Sequence, residues 1–507
     1  MWVNSLMDID GIRPPQKGRM KQRPLTSNLT AQPRRRTVPA APSAEAKRFP
    51  LPRYYAPERP EKIVRKRISN KKLFFRTAAV FGVLLLSTGG FLSWKAYSKL
   101  HKVFRGTTTV AALASKPVTP DLLKGEGDGR VNILLLGIGG PGHDGPDLTD
   151  TIVVFSVDPV NNTASMLSIP RDLWVKQPVN YFGSQQKINA AYESGKYHYL
   201  SKMDPSSANA AAVEAGFNSI DQVVKNVMDV NVNYHVLVNF QAFKQAIDTV
   251  GGVTVNVPEP LIDPTMAWEN HWNSTLAPAG VQQMDGVKAL LYARSRETTS
   301  DFARGERQRQ ILVALKDKVL SAGTLSNPAK IDSLMNAFGD NVYSDLSTQG
   351  ASRLFGIMKK VGDNKISSIG LTDQAHKLVT TDHVGTTSVV RPVAGFDQYA
   401  AIQAYVHSQL PDGYLLKEHA ETVVLAPTTV QATTTATLLK GLGYNVTSAS
   451  ASQQPLSATT VVDLSKGKDP FTKHYLESRY DVKVTTTLPA GVSLSDPSTK
   501  FVVITNK

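Results

Sequence analysis

The chain has 507 residues, room for two or three globular units plus tails, and its 41% apolar and 20% charged content is ordinary for a folded protein. The net charge of +15 is concentrated at one end: residues 1–76 hold 19 Lys and Arg against 5 Asp and Glu. The remainder is almost neutral and gives no electrostatic footing for nucleic-acid binding. With no cysteine, disulfides, thiolate zinc sites and a cysteine nucleophile are excluded.

Residues 1–72 are rich in Pro, Arg and Lys, with Arg34, Arg35 and Arg36 in a run. Such a segment cannot bury enough apolar surface to offset its ordering entropy, and reads as a disordered basic tail. Residues 73–97 follow, uncharged from Thr77 to Trp94 and as long as a bilayer crossing requires, roughly 20 residues. They are predicted to form one transmembrane helix. A cleaved signal peptide, the alternative, fits less well behind more than 70 preceding residues. Basic residues crowd the N-terminal flank from Lys62 to Arg76, whereas only Lys95, Lys99, Lys102 and Arg105 follow the span closely. The positive-inside rule therefore places the N-terminus in the cytoplasm and the body outside the cell membrane.

A linker is read over 98–129 and a body over 130–412. Val131–Leu136 is a continuous apolar run ending in glycines, as in a buried strand, and Thr151–Val157 with Ala164–Ile169 reads as a hairpin. Asn218–Met228 is predicted helical and Tyr234–Val238 extended. Phe240–Val250 fits a helix stopped by Gly251 and Gly252, with a strand at Val253–Val257. Ala289–Arg296 is read as a strand before a helix from about Phe302 to Ser321, whose Ile311, Leu315 and Val319 share a face. Residues 420–507 read as a small module of two similar strand-helix-strand halves. The expected class is α/β: a mixed-sheet body flanked by helices, preceded by the transmembrane helix and followed by the small α/β module.

Four segments concentrate charge where strands end. The loop GIGGPGHDGPDLTDT carries His143, Asp144, Asp147 and Asp150; glycines let backbone amides approach an anion, and carboxylates suit a hard cation. A surface turn stabilised by its aspartates explains the same residues. Ile169-Pro170-Arg171-Asp172 closes the hairpin with an arginine, or with a surface ion pair. Lys187-Ile188-Asn189 opens a predicted helix, so Lys187 and Asn189 face an anion there, or are a solvated lysine and a cap. Lastly, Arg294 and Arg296 project from one face of the predicted strand, and Asp301, Arg304 and Arg307 stack at three-residue spacing on the helix behind it. Asp301 is either a helix cap or a metal ligand, and the arginines either a solvated face or a set of phosphate-matching forks.

The series NILLLG, LTDTIVVFSVDP, MLSIPRD, KINAAY, MDGVKALLYARSR and DFARGERQRQ resembles the LytR-CpsA-Psr family in order and spacing. The resemblance implies a phosphotransferase that moves a glycopolymer from a polyprenyl-pyrophosphate carrier to peptidoglycan, with Mg2+ as cofactor. Its partners would be the lipid-linked glycan, peptidoglycan and membrane lipid, with no nucleic acid. By position, Arg171, Arg294, Arg296 and Arg304 would hold the pyrophosphate; Lys187, Asn189 and Arg307, which the resemblance does not require, are expected as further substrate contacts from the residues themselves. Asp150 and Asp301 would serve the metal, and Asp150 also counts among the catalytic residues. The sequence departs from the family pattern at Leu148, where an arginine is frequent. It departs again at Gly137-Ile138-Gly139-Gly140, where an aspartate commonly follows the first strand, and Asp144 or Asp147 would substitute. Residues 420–507 resemble the family's LytR-type C-terminal domain, departing at Ala426-Pro427 and at the closing Ile504-Thr505-Asn506-Lys507. The rival readings are a polyprenyl-pyrophosphate phosphatase, a non-catalytic envelope-binding protein and a transcriptional attenuator; no helix-turn-helix pattern supports the last.

Overall fold

The computed structural model describes residues 103–506, except 115–116, 204–208, 296–300, 322–332, 334–335, 337, 340, 372–376 and 453–457. The predicted basic tail and transmembrane helix, Arg296 and the side chain of Asp301 lie outside the described residues. Among those described, no helix is long and apolar enough to cross a membrane.

The body begins with three strands, Val131–Ile138 (β1), Thr149–Asp158 (β2) and Thr163–Ser168 (β3). A short hairpin, Trp174–Lys176 (β4) and Gln185–Lys187 (β5), leads to helices Ala190–Leu200 (α1) and Asn209–Met228 (α2). Tyr234–Asn239 (β6) and Phe240–Thr249 (α3) come next, then Val253–Val257 (β7), Leu261–Ile262 (β8), Thr275–Ala277 (β9) and Gly280–Met284 (β10). Helices Gly286–Arg294 (α4) and Asp301–Leu320 (α5) precede Val342–Ser344 (β11), Thr348–Met358 (α6) and Ile366–Ile369 (β12). A hairpin, Val379–Val384 (β13) with Thr387–Pro392 (β14), and helix Ala400–Gln409 (α7) complete the body.

The main sheet is mixed, in the order β11-β6-β1-β2-β3-β12. β1 runs parallel to β6 and β3 parallel to β12, while β2 is antiparallel to both β1 and β3. In consequence β1, β3, β6 and β12 all end at one edge of the sheet, where β2 begins. Both faces are covered, which is why β1 reads as an apolar run broken only by Asn132, whose buried side chain is paired with Ser156 and the Asn231 carbonyl. Leu134, Leu136, Val154 and Leu167 meet α1, α2 and α7 on one side, and Ile133, Val153, Val157 and Met166 meet α5 and α6 on the other. Each such fully buried aliphatic side chain contributes about 1.5–3 kcal/mol.

Three expectations change. Of Ala289–Arg296, expected as a strand, the stretch to Arg294 belongs to helix α4, which starts at Gly286 with Asp285 capping the Lys288 N–H at 2.8 Å. Ala289, Leu290, Leu291, Tyr292 and Ala293 are all buried, so the helical period is invisible in an unbroken apolar run. The segment 98–129, expected as a linker, is anchored to the body at described positions: Val103, Leu113 and Leu123 are buried, and Phe104 bridges Ser344 in parallel. Lys187, expected at a helix start, ends β5, and α1 begins three residues later.

The C-terminal module holds Gly413–Glu418 (α8), Glu421–Ala426 (β15), Thr429–Leu442 (α9), Asn445–Ala451 (β16), Thr460–Asp463 (β17), Pro470–Tyr480 (α10) and Phe501–Ile504 (β18). Its halves are not alike: β15 and β16 are parallel, whereas β17 and β18 are antiparallel. The module is fastened at the sheet edge where β1 starts. Asp412 accepts from the Gly127 and Gly129 N–H groups and from Tyr475, Arg130 donates to the Pro411 carbonyl, and Asn161 in the β2–β3 turn donates to the Gly413 carbonyl.

Inside the body, buried His235 on β6 stands between two carboxylates, with Nδ1 2.6 Å from Asp345 and Nε2 2.9 Å from Asp221, and Phe217 stacks on its ring at 4.2 Å. Burial works against its charge, but the two carboxylates outweigh it and push the pKa up to about 9. A raised value stabilises the fold fully below the unfolded pKa and loses that stability as pH rises through the folded one. Urea unfolding should therefore show roughly 3 kcal/mol of stability lost between about pH 6.5 and 9. The loss should be absent when Asp221 and Asp345 are both changed to Asn.

Candidate functional site

Most of the predicted site residues gather at the edge where β1, β3, β6 and β12 end, the end at which open α/β sheets hold ligands. Arg171 follows β3 by three residues and Asp150 stands near the start of β2. Arg171 Nη1 lies 2.7 Å from Asp150 Oδ1, and Asn189 Nδ2 approaches the same oxygen at 3.5 Å. The backbone holds this trio together. The Asn189 N–H donates to the Arg171 carbonyl, and the Thr149 N–H and hydroxyl donate to the Asn189 carbonyl. Asp172 receives Lys187 Nζ at 2.8 Å and lies 3.6 Å from Arg171 Nε. Burial disfavours the Arg171 charge, yet Asp150 and Asp172 together raise its pKa. The side chain stays about one-third exposed, open to an incoming anion.

Arg304 sits on α5 one residue before Gly305. A Cβ on Gly305 would stand 3.3 Å from the Ser168 Cβ and 3.6 Å from the Ser368 hydroxyl, so the helix crosses directly over the ends of β3 and β12. That crossing brings Arg304, itself buried, to the same sheet edge as Arg171. Arg294, the last residue of α4, lies with its guanidinium 4.6 Å over the Phe240 ring, and its Nη1 is 2.8 Å from Glu269. Phe240 follows the end of β6 and also meets the His143 ring edge-on at 5.4 Å. The arginine is thus held between an aromatic ring and a carboxylate, with its side chain part-exposed.

The other predicted residues divide differently. Asp147, expected beside the cation, has both carboxylate oxygens 2.7 Å from Lys196 Nζ. Arg307, expected to contact substrate, is buried and donates to the Tyr292 and Ser295 carbonyls, clamping the end of α4. Burial lowers its pKa, and its two carbonyl contacts make it a brace between α5 and the end of α4. In the glycine-rich loop the Gly140, His143 and Leu148 N–H groups donate to loop carbonyls, so these amides close a turn and do not form an anion cradle. Gly140 has φ +83° and lies against Asn239, where a Cβ would come within 2.9 Å of the asparagine Cβ.

Among the described residues no three His, Asp or Glu side chains converge as a metal site, and the Asp301 side chain is not among them. Asp150 has the chemistry for a hard cation: it is part-exposed, and both of its contacts fall on Oδ1. Glu269, Phe240 and Lys196 were missed in the sequence. None stands at a spacing that ties it to Arg294 or Asp147, and only the fold makes them neighbours.

Residues 96–391 match the LytR_cpsA_psr family. The chain is 32% identical over 226 residues to the polyisoprenyl-teichoic acid–peptidoglycan teichoic acid transferase TagV of Bacillus subtilis (strain 168), covering 44% of this chain and 51% of TagV. It is 28% identical over 289 residues to TagU of the same organism, a protein of the same descriptive name, covering 56% of this chain and 80% of TagU. The chain thus spans about half the length of the first and four-fifths of the second. The crystal structure of B. subtilis TagV aligns over 55% of this chain and 97% of that one, at 28% identity and a TM-score of 0.41.

Proposed function

Because the chain belongs to the LytR_cpsA_psr family, we propose that it is a membrane-anchored phosphotransferase joining a glycopolymer from a polyprenyl-pyrophosphate carrier to peptidoglycan. The observation that carries this reading is the meeting of Arg171, Asp150 and Asn189 at the sheet edge over which α5 brings Arg304. Transfer of a phosphoryl group needs positioning and charge neutralisation more than covalent chemistry from the protein. Arg171, Arg294, Arg296 and Arg304 hold the pyrophosphate oxygens, and Lys187 with Asn189 adds donors beside them. A sugar hydroxyl of peptidoglycan attacks the glycan-proximal phosphorus. The new P–O bond forms to that hydroxyl, the bridging P–O bond breaks, and polyprenyl phosphate leaves, taking up the hydroxyl's proton. Asp150 and Asp301 would hold Mg2+, which neutralises phosphate charge when bound. Residues 73–97 anchor the chain with its N-terminus in the cytoplasm, and residues 420–507 are its LytR-type C-terminal domain.

The test incubates the purified full chain with lipid-linked glycan and wall fragments. Glycan joined to peptidoglycan with stoichiometric polyprenyl phosphate is the expected result. Phosphate release without transfer would make the protein a phosphatase, and binding without turnover would make it an envelope-binding protein.

A further inference from the structure

Two groups of exposed aromatic side chains rim the charged edge of the sheet. On one side, the segment Pro264–Asn270 and its continuation present Trp268 and Trp272, the latter 84% exposed. This segment is fixed to the site, because Glu269 within it is the carboxylate that grips Arg294. It is also built at a cost. His271 and Trp272 both have positive φ, 52° and 64°, a region that bulky residues avoid. The nearby amides are spent holding that turn: Asn270 donates to the Asn273 and Thr275 carbonyls, and Asn273 accepts from the Thr275 N–H. What the turn offers outward is indole. On the other side, the tip of the β4–β5 hairpin, which follows directly from Arg171 and Asp172, presents Tyr181 and Phe182 packed edge-to-face at 4.7 Å.

The direction of the chain says what this rim faces. Phe104 bridges Ser344 in parallel, and β11 is antiparallel to β6. Residues 103–106 therefore run from the charged edge toward the opposite edge, so the chain enters the body at the charged edge. The proposed anchor ends at residue 97, six residues before Val103, and six residues reach at most about 22 Å. We infer that the charged edge of the body rests on the lipid bilayer, with Trp268 and Trp272 at one rim and Tyr181 and Phe182 at the other seated at the headgroup level. Tryptophan and tyrosine favour that layer because an apolar ring and a polar edge are both satisfied there. The inference rests on the anchored, lipid-using reading above. It adds that the body docks, bringing the arginines to a pyrophosphate lying in the headgroup plane.

The absence of cysteine allows a background-free test. The full chain carrying Trp268→Cys, Trp272→Cys or Phe182→Cys is spin-labelled and reconstituted in phosphatidylcholine–phosphatidylglycerol vesicles. Collision with oxygen and with a water-soluble nickel chelate is then compared with that of Val430→Cys, an exposed position in the C-terminal module. Labels at 268, 272 and 182 should show a several-fold higher oxygen-to-nickel ratio than the label at 430. In a second measurement that keeps the turn intact, lipids brominated near the carbonyls should quench the native chain more than a Trp268→Phe, Trp272→Phe double variant. Labels in water at all three positions, with the variant quenched at least as strongly as the native chain, would overturn the docking. Protection appearing only when peptidoglycan fragments are added would overturn it too and assign the rim to sugar. Since neither measurement requires turnover, a wet rim with transfer intact refutes the docking alone. A lipid-seated rim without transfer refutes the proposed activity alone.

Discussion

Replacing Arg294 by alanine should lower glycan transfer by at least tenfold to a hundredfold while leaving the chain folded. The side chain is partly exposed over Phe240 and held by Glu269, so it faces a site and its loss opens no core cavity. A charge-assisted bond to a phosphate oxygen contributes roughly 1.5–3 kcal/mol, which is a tenfold to more than a hundredfold change in rate if realised in the transition state. Arg294→Lys should remain impaired, because an ammonium keeps the charge but neither lies flat on the ring nor offers two parallel donors. Arg171→Ala should act as strongly, since it also leaves Asp150 without its 2.7 Å partner. Transfer assays in which Arg171→Ala and Arg294→Ala both turn over at the native rate would remove phosphate binding at this edge from the mechanism.

The second large effect concerns stability. Asp412 is 1% exposed and ties the body to the C-terminal module. Oδ2 accepts from Gly127 and Gly129 N–H at 2.9 and 3.1 Å and from the Tyr475 hydroxyl at 3.2 Å, while Oδ1 caps α8 through the Tyr414 and Leu415 N–H groups. Asp412→Ala strands these donors at a buried seam and should cost about 3–5 kcal/mol. In calorimetry the native chain should melt as one unit and the variant should separate into two transitions. Asp412→Asn should behave almost as badly, because one half of the amide turns a donor toward donors. A single transition at an unchanged temperature in Asp412→Ala would show that the seam is held elsewhere.

The body's strands were legible because their physics is local. Runs such as Val131–Leu136 are apolar on both faces, and the hairpin of β2 and β3 is marked by its turn. Helix α3 was equally plain, with its apolar period and its two terminal glycines. Helix α4 was not, because burial on every side from Ala289 to Ala293 leaves no polar face to betray the period. With that strand goes the argument that Arg294 and Arg296 share a face by alternation. Arg171 and Asp150 were identified, but through resemblance, and nothing local says that residues 21 positions apart meet at 2.7 Å. Arg307 shows the opposite failure. Its three-residue spacing from Arg304 suggested a common face, whereas its guanidinium is spent on the end of the preceding helix.

The module sits at the edge where β1 starts, and the arginines at the edge where β1 ends. Eight residues at a rise of about 3.3 Å separate the two, which is roughly 26 Å of rigid sheet. The body is therefore a gauge of set height. Groups fixed at opposite ends of one sheet cannot approach each other without breaking its strand pairing.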